Sequence, residues 1–223
     1  MLRIEDKYNM SAIDMVLLEK RLEGIMERDT NNKGIYHISS VYFDDLLETC
    51  YNDSLDGNPV RKKYRIRFYN NSLDFIKLEI KEKYYRYGRK MTSMISKAEF
   101  DSILNGKIID DYENLARKDF NIAIKNRGLR PKLIVEYDRT AFVQRSGNVR
   151  ITLDRNLKYC TNFFTYYNTQ ESKYLSTEPV LEVKYSELLP KYIAQVLENN
   201  MLYKTSNSKY ALCMEDRRKN NVC

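Results

Sequence analysis

Four short units in this sequence set two ionisable side chains two residues apart: Glu5-x-Lys7, Arg65-x-Arg67, Glu79-x-Lys81 and Glu182-x-Lys184. In an extended strand that spacing puts both members on one face, because successive side chains alternate. Their neighbours follow the same rule. In RKKYRIRFY, Lys63, Arg65 and Arg67 oppose Tyr64, Ile66 and Phe68, and in FIKLEIKEK, Lys77, Glu79, Lys81 and Lys83 oppose Ile76, Leu78 and Ile80. Arg150, Thr152 and Asp154 oppose Val149, Ile151 and Leu153, while Glu182 and Lys184 oppose Leu181, Val183 and Tyr185. At the start, Arg3, Glu5 and Lys7 oppose Leu2, Ile4 and Tyr8. Like charges gathered on one face stay charged only if anions or interleaved acids compensate them. A chain of phosphates does so, since Arg grips its oxygens bidentately and Lys acts as a point charge. The interleaved Glu5, Glu79 and Glu182 have two open roles. They keep the lysines oriented, or they hold a hard divalent cation together with phosphate oxygens. Phosphoryl transfer is largely positioning and charge neutralisation, so such a set needs no Ser, Cys or His nucleophile.

The elements that must position these groups are mostly strands. IYHISSVYF and KLIVEYDRTAF also read as strands, and Asn70-Asn71-Ser72 as a hairpin turn between two of them. Four helices are expected: Ser11 to Arg28 with Ser11 as N-cap, one opened by a capping box at Ser96–Glu99, one between Asp110 and Arg127, and one following Ser186, with Pro190 near its first turn. Thr161 to Glu178 reads as loop, and the tail after Met214 as frayed. Two arrangements suit this pattern. One is an antiparallel sheet with its charged face in water. The other is a closed barrel with a charged, aqueous lumen and helices outside. At least seven strand segments appear, and on the charged faces of five of them, taken together, bases outnumber acids, which favours the closed barrel. The whole chain, 1–223, is treated as a single α+β domain.

Composition narrows the function classes. Apolar residues at 43% suffice for a substantial core, and a net charge of +7 points to anionic partners. The start, MLRIEDKYNM, has no apolar stretch of a signal peptide, and no run approaches the ~18 residues of a membrane span. Cys50, Cys160, Cys213 and Cys223 are scattered, and His37 is the lone histidine, which argues against a zinc site and against Ser-His or Cys-His catalysis. A reduced, cytoplasmic setting is expected. Tyr84, Tyr85 and Tyr87 offer a base-stacking surface or cover for the rim of the sheet.

The motifs RIEDKY, SVYFDD, YRIRFY, KLEIKEK, PKLIVEYDRTAF, VRITLD, VLEVKY and SKYALC, in that order, resemble the VTC domain, the polyphosphate polymerase branch of the triphosphate tunnel metalloenzymes, or CYTH-like superfamily. The resemblance covers nearly the whole chain. It implies a barrel of about eight antiparallel strands. It implies transfer of the γ-phosphate of ATP to a growing polyphosphate chain, with Mn²⁺ or Mg²⁺ bound. Lys7, Arg65, Arg67, Lys81, Arg139, Arg150 and Lys209 would then bind the phosphates, and Glu182 the metal. Lys90 is a looser match, and Lys184 and Lys83 follow from strand phase alone. Arg3 stands where the hydrolase branches carry a glutamate, which favours the polymerase branch. Near the C-terminus a second basic residue is expected before SKY; Lys204 is close, but Ser206 holds the position. If Glu136 faces the lumen, Arg139 needs a bulge to do so.

Three alternatives stay open. A hydrolase of tripolyphosphate or nucleoside triphosphates would release orthophosphate. A non-catalytic polyphosphate-binding module would bind without turnover. A structural domain with a solvated charged sheet would ignore polyphosphate. No stacking platform or recognition helix favours nucleic acid.

Overall fold

In the computed structural model the described residues are 4–29, 34–85, 87–109, 111–163, 171–176, 178–186, 188–198, 202–206 and 208–220. Leu2, Arg3, Asp110, Cys223 and part of the expected Thr161–Glu178 loop lie outside them.

The chain is α+β. Its strands are β1 (Ile4–Asn9), β2 (Glu27–Arg28), β3 (Ile35–Asp44), β4 (Val60–Tyr69), β5 (Ser72–Tyr84), β6 (Tyr87–Ile95), β7 (Arg130–Gln144), β8 (Val149–Cys160), β9 (Lys173–Ser176), β10 (Val180–Tyr185) and β11 (Tyr203–Lys204). Its helices are α1 (Ala12–Glu23), α2 (Thr49–Leu55), α3 (Lys97–Leu104), α4 (Leu115–Arg127), α5 (Lys191–Glu198) and α6 (Lys209–Asn220). The strands form one 11-stranded antiparallel sheet in the order β11-β1-β10-β8-β7-β3-β4-β5-β6, with β2 on β7 and β9 on β8.

This corrects the expected closed barrel. Among the described residues the end strands β11 and β6 do not pair with each other, so the sheet is open. Alternation along each strand records which face a side chain takes. Closure depends on whether two distant edges meet, and nothing in the period-two pattern encodes that.

Two compact units divide the chain. The first comprises Met1–His37, Tyr137–Leu157 and Tyr174–Asn207, and the second Ile38–Glu136, Lys158–Lys173 and Ser208–Cys223. In the first, Met15, Leu18 and Leu22 of α1 and Ile193 and Leu197 of α5 cover Ile151, Leu153, Leu181 and Val183 of the sheet. In the second, Phe100 and Ile103 of α3 and Phe120 and Ile124 of α4 cover Ile66, Phe68, Ile76, Leu78 and Ile80. Each such buried side chain contributes roughly 1.5–3 kcal/mol. The apolar sets of β4, β5, β8 and β10 are thereby fixed to one face.

Local chemistry explains the element ends. Ser11 caps α1 by accepting from the Asp14 N–H, and α1 stops at Gly24, short of Arg28. Glu27 and Arg28 are taken instead as β2, paired with Val143 and Phe142 of β7. The capping box at Ser96 and Glu99 is present. Asn114 caps α4, and Gly128, at φ 65°, ends it. Pro190 sits just before α5, its carbonyl accepting from Ile193 and Ala194. Residues 215–220 of the tail expected to fray belong to helix α6, anchored by buried Tyr210, Cys213 and Met214, and the rest lie outside the described residues.

Candidate functional site

In the second unit, β4, β5 and β6 are consecutive hairpin strands, and their register decides what shares a face. The β4–β5 turn is Asn70-Asn71, both left-handed at φ 51° and 56°, joining Tyr69 directly to Ser72. Between Tyr69 and Arg67 the register shifts at an irregularity, and beyond it Lys63 lies opposite Lys81, Arg65 opposite Glu79 and Arg67 opposite Lys77. On the next strand Glu79 meets Thr92 and Lys81 meets Lys90. Directly opposed residues share a face. One face of β4–β6 therefore gathers Arg61, Lys63, Arg65, Arg67, Lys77, Lys81, Lys83 and Lys90 around a single carboxylate, Glu79.

Glu79 is buried, at 2% exposure, and organises the centre of that face. Its Oε2 accepts from Arg65 Nε at 2.7 Å, and its Oε1 accepts from Lys90 Nζ. Burial pushes the Glu79 carboxyl up, but Arg65, Arg67 and Lys90 together outweigh it and hold the group well below the usual carboxylate range. Arg65 also donates to the Tyr42 hydroxyl at 3.1 Å. Tyr42 stacks on Tyr210 of α6 at 4.8 Å between ring centroids, and the Tyr210 hydroxyl donates to buried Asp44 at 2.8 Å. Arg67 is buried and donates from Nε to Ser40 Oγ at 3.1 Å. Lys63 Nζ donates to Ser208 Oγ at 2.9 Å, which brings the start of α6, with Lys209, to this face. Lys81 is exposed and Lys83 half-buried.

In the first unit, β1, β10 and β8 carry a more balanced set. Glu5 lies opposite Lys184 and Lys7 opposite Glu182, and beyond them Lys184 lies opposite Arg150 and Glu182 opposite Thr152. Lys184 pairs with Glu182 and, at 3.6 Å, with Glu5; Lys7 lies 3.4 Å from Glu5. Burial raises the Glu182 carboxyl, but Lys184, Lys7 and Arg139 outweigh it and keep it ionised. Arg139 grips Asp154 with two bonds, Nε to Oδ1 at 2.6 Å and Nη2 to Oδ2 at 2.7 Å. Arg150 reaches Asp29 at 2.7 Å.

Arg139 acts on Glu182, whereas Glu136 bonds elsewhere. Glu136 accepts from Ser39 and Ser172, and Ser39 lies opposite core residue Phe68. Lys204 pairs with Asp6 at 2.7 Å, away from this set. Tyr84, Tyr85 and Tyr87 are exposed at the β5–β6 turn. Cys50, Cys160 and Cys213 are buried free thiols, and burial pushes Cys50 up to about 12.

The expected residues thus fall into two sets: Arg65, Arg67, Glu79, Lys81, Lys83, Lys90 and Lys209 in one unit, and Glu5, Lys7, Arg139, Arg150, Glu182 and Lys184 in the other. Sequence reading did not single out Tyr42, Asp154 or Ser208. Asp154 was legible as a member of the charged face of VRITLD. The parts played by Tyr42 and Ser208 depend on contacts between distant segments.

Among the described residues, no three His, Cys, Asp or Glu side chains form a set that could hold a metal. Glu5 and Glu182 supply two carboxylates, a donor chemistry that suits a hard divalent ion whose other positions are filled by phosphate oxygens and water. Both oxygens of Glu79 are already engaged by cations.

Comparisons with known proteins agree with this architecture. PH1012 of Pyrococcus horikoshii OT3 is 17% identical over 94% of this chain and 98% of that one, with a TM-score of 0.55. A proposed adenylate cyclase from Vibrio parahaemolyticus is 13% identical, with coverage of 96% and 98% and a TM-score of 0.54. Another from Bacillus halodurans is 14% identical, with coverage of 89% and 88% and a TM-score of 0.53. At these identities the likeness is one of fold. No curated protein matches the chain. The model of the VTC domain matches residues 2–216, from the first strand segment into α6. A match of that extent places the chain in the VTC domain family, within the triphosphate tunnel metalloenzyme superfamily.

Proposed function

We propose that this chain, as a single domain over 1–223, is a polyphosphate polymerase. A terminal phosphate oxygen of the growing chain attacks the γ-phosphorus of ATP, the bond to the bridging β–γ oxygen breaks, and ADP leaves. The observation that carries this reading is the face of β4–β6, where eight cations surround one carboxylate. Such a surplus of positive charge is costly unless a polyanion offsets it. A solvated structural face has no need of it.

Arg65 and Arg67 are the phosphate-gripping pair, held in place by Glu79, Tyr42 and Ser40. Held guanidiniums lose less freedom when the ligand arrives, which favours affinity and in-line geometry. Lys81, Lys83, Lys90 and Lys209 add point charges along the chain. In the other unit Lys7, Arg139, Arg150 and Lys184 neutralise phosphate charge. Enzymes of this family generally use divalent metals. Glu182 and Glu5 would hold Mn²⁺ or Mg²⁺, which neutralises charge on phosphate oxygens when bound. ATP and polyphosphate are the proposed partners and the cytoplasm the proposed location. Among the described residues no helix is long and apolar enough to cross a membrane.

The test is product analysis with γ-labelled ATP and Mn²⁺. Wild type is expected to yield ADP and long, acid-labile labelled chains, and Arg65→Ala and Glu182→Ala to lower the rate at least ~100-fold. Release of orthophosphate alone would make the protein a hydrolase. ATP binding without turnover would make it a binding module.

A further inference from the structure

We propose that Thr152 is a further phosphate-binding residue, its hydroxyl donating a hydrogen bond to a phosphoryl oxygen of the bound chain. The inference rests on the reading of the charged face as a phosphate site, and adds to it a contact that no charged residue supplies.

Thr152 is 4% exposed, yet its Oγ1 has no hydrogen-bond partner; among the described buried side chains it is the one such atom. Buried hydroxyls are nearly always bonded, and an unmet one is unfavourable unless something outside the fold meets it. Its place in the sheet says what that would be. Thr152 lies directly opposite Glu182 and shares its face with Arg150 and Asp154 on β8. The charged groups around it are already matched, Glu182 by Lys184 and Asp154 by Arg139. Lys184, Lys7 and Arg139 all act on Glu182, so this corner of the sheet is rich in cations. A threonine hydroxyl donates one bond. The group that needs a donor among cations is an anionic oxygen, and in this site that is a phosphate.

The experiment is calorimetric titration of the full chain with tripolyphosphate, without metal, for wild type, Thr152→Val and Thr152→Ser. Valine keeps the shape and removes the hydroxyl. Thr152→Val is expected to bind about tenfold more weakly, the size of one hydrogen bond to a charged group. Thr152→Ser should stay within about twofold of wild type, since it keeps the donor. Without ligand, Thr152→Val should melt no lower than wild type, because it removes an unmet polar group. Equal affinity of Thr152→Val and wild type would overturn the proposal, as would an equal loss in valine and serine variants, which would indicate packing. A wild type that makes polymer while Thr152→Val binds normally defeats this inference and leaves the polymerase reading standing. A wild type that does not bind tripolyphosphate defeats both.

Discussion

At the scale of single residues, Glu79 is the most heavily loaded group. Removing one partner of a fully buried ion pair costs about 3–5 kcal/mol. Here the cations retain water, with the side chains of Arg65 at 21% and Lys90 at 51% exposure. Glu79→Gln is therefore expected to cost about 2 kcal/mol at neutral pH, read from urea unfolding. The pH dependence has a definite sign. The folded Glu79 and Glu182 carboxyls lie below their unfolded value of about 4.3. Their stabilisation is complete above that value and is lost as pH falls through it toward the folded values. Wild type should thus lose stability steeply below about pH 4, and Glu79→Gln less steeply. An equal acid slope in both would remove Glu79 from the centre of the site. Glu79 and Lys81 were legible as one-face neighbours from spacing alone. The cations that bond Glu79, Arg65 and Lys90, were not, since they come from the strands on either side.

At the scale of elements, the β4–β5 turn and the register shift between Tyr69 and Arg67 together set which charges meet. Asn71 at φ 56° lies in a region where β-branched side chains are strained. Asn71→Val is expected to cost about 1–2 kcal/mol in urea unfolding and to weaken tripolyphosphate binding, because a one-residue slip between β4 and β5 would part Arg65 from Glu79. Unchanged stability would mean that the turn does not define the register. This turn and the Ser96 capping box were legible because their signals are local. Helix α2 was not. Its N-cap Glu48 makes no side-chain cap, and the Cys50 and Tyr51 N–H groups donate instead to Asp44, several residues upstream. Helix α6 was hidden because its charged exposed face resembles a tail, whereas buried Tyr210, Cys213 and Met214 hold it.

At the scale of the whole molecule, strand faces and family were legible in the sequence, and sheet closure was not, for it depends on two edges far apart in the chain. The net charge of +7 adds a general attraction for polyanions that salt weakens, whereas the placed arginines add a specific one. Tripolyphosphate at 100 times its dissociation constant should stabilise the protein by about 2.7 kcal/mol, and rising salt should lower its affinity. The most direct measurement is diffraction from crystals grown with tripolyphosphate. Phosphate density against Arg65, Arg67 and Lys81 is the expected result. Phosphates bound elsewhere, with those three side chains untouched, would contradict the assignment of this face as the phosphate site.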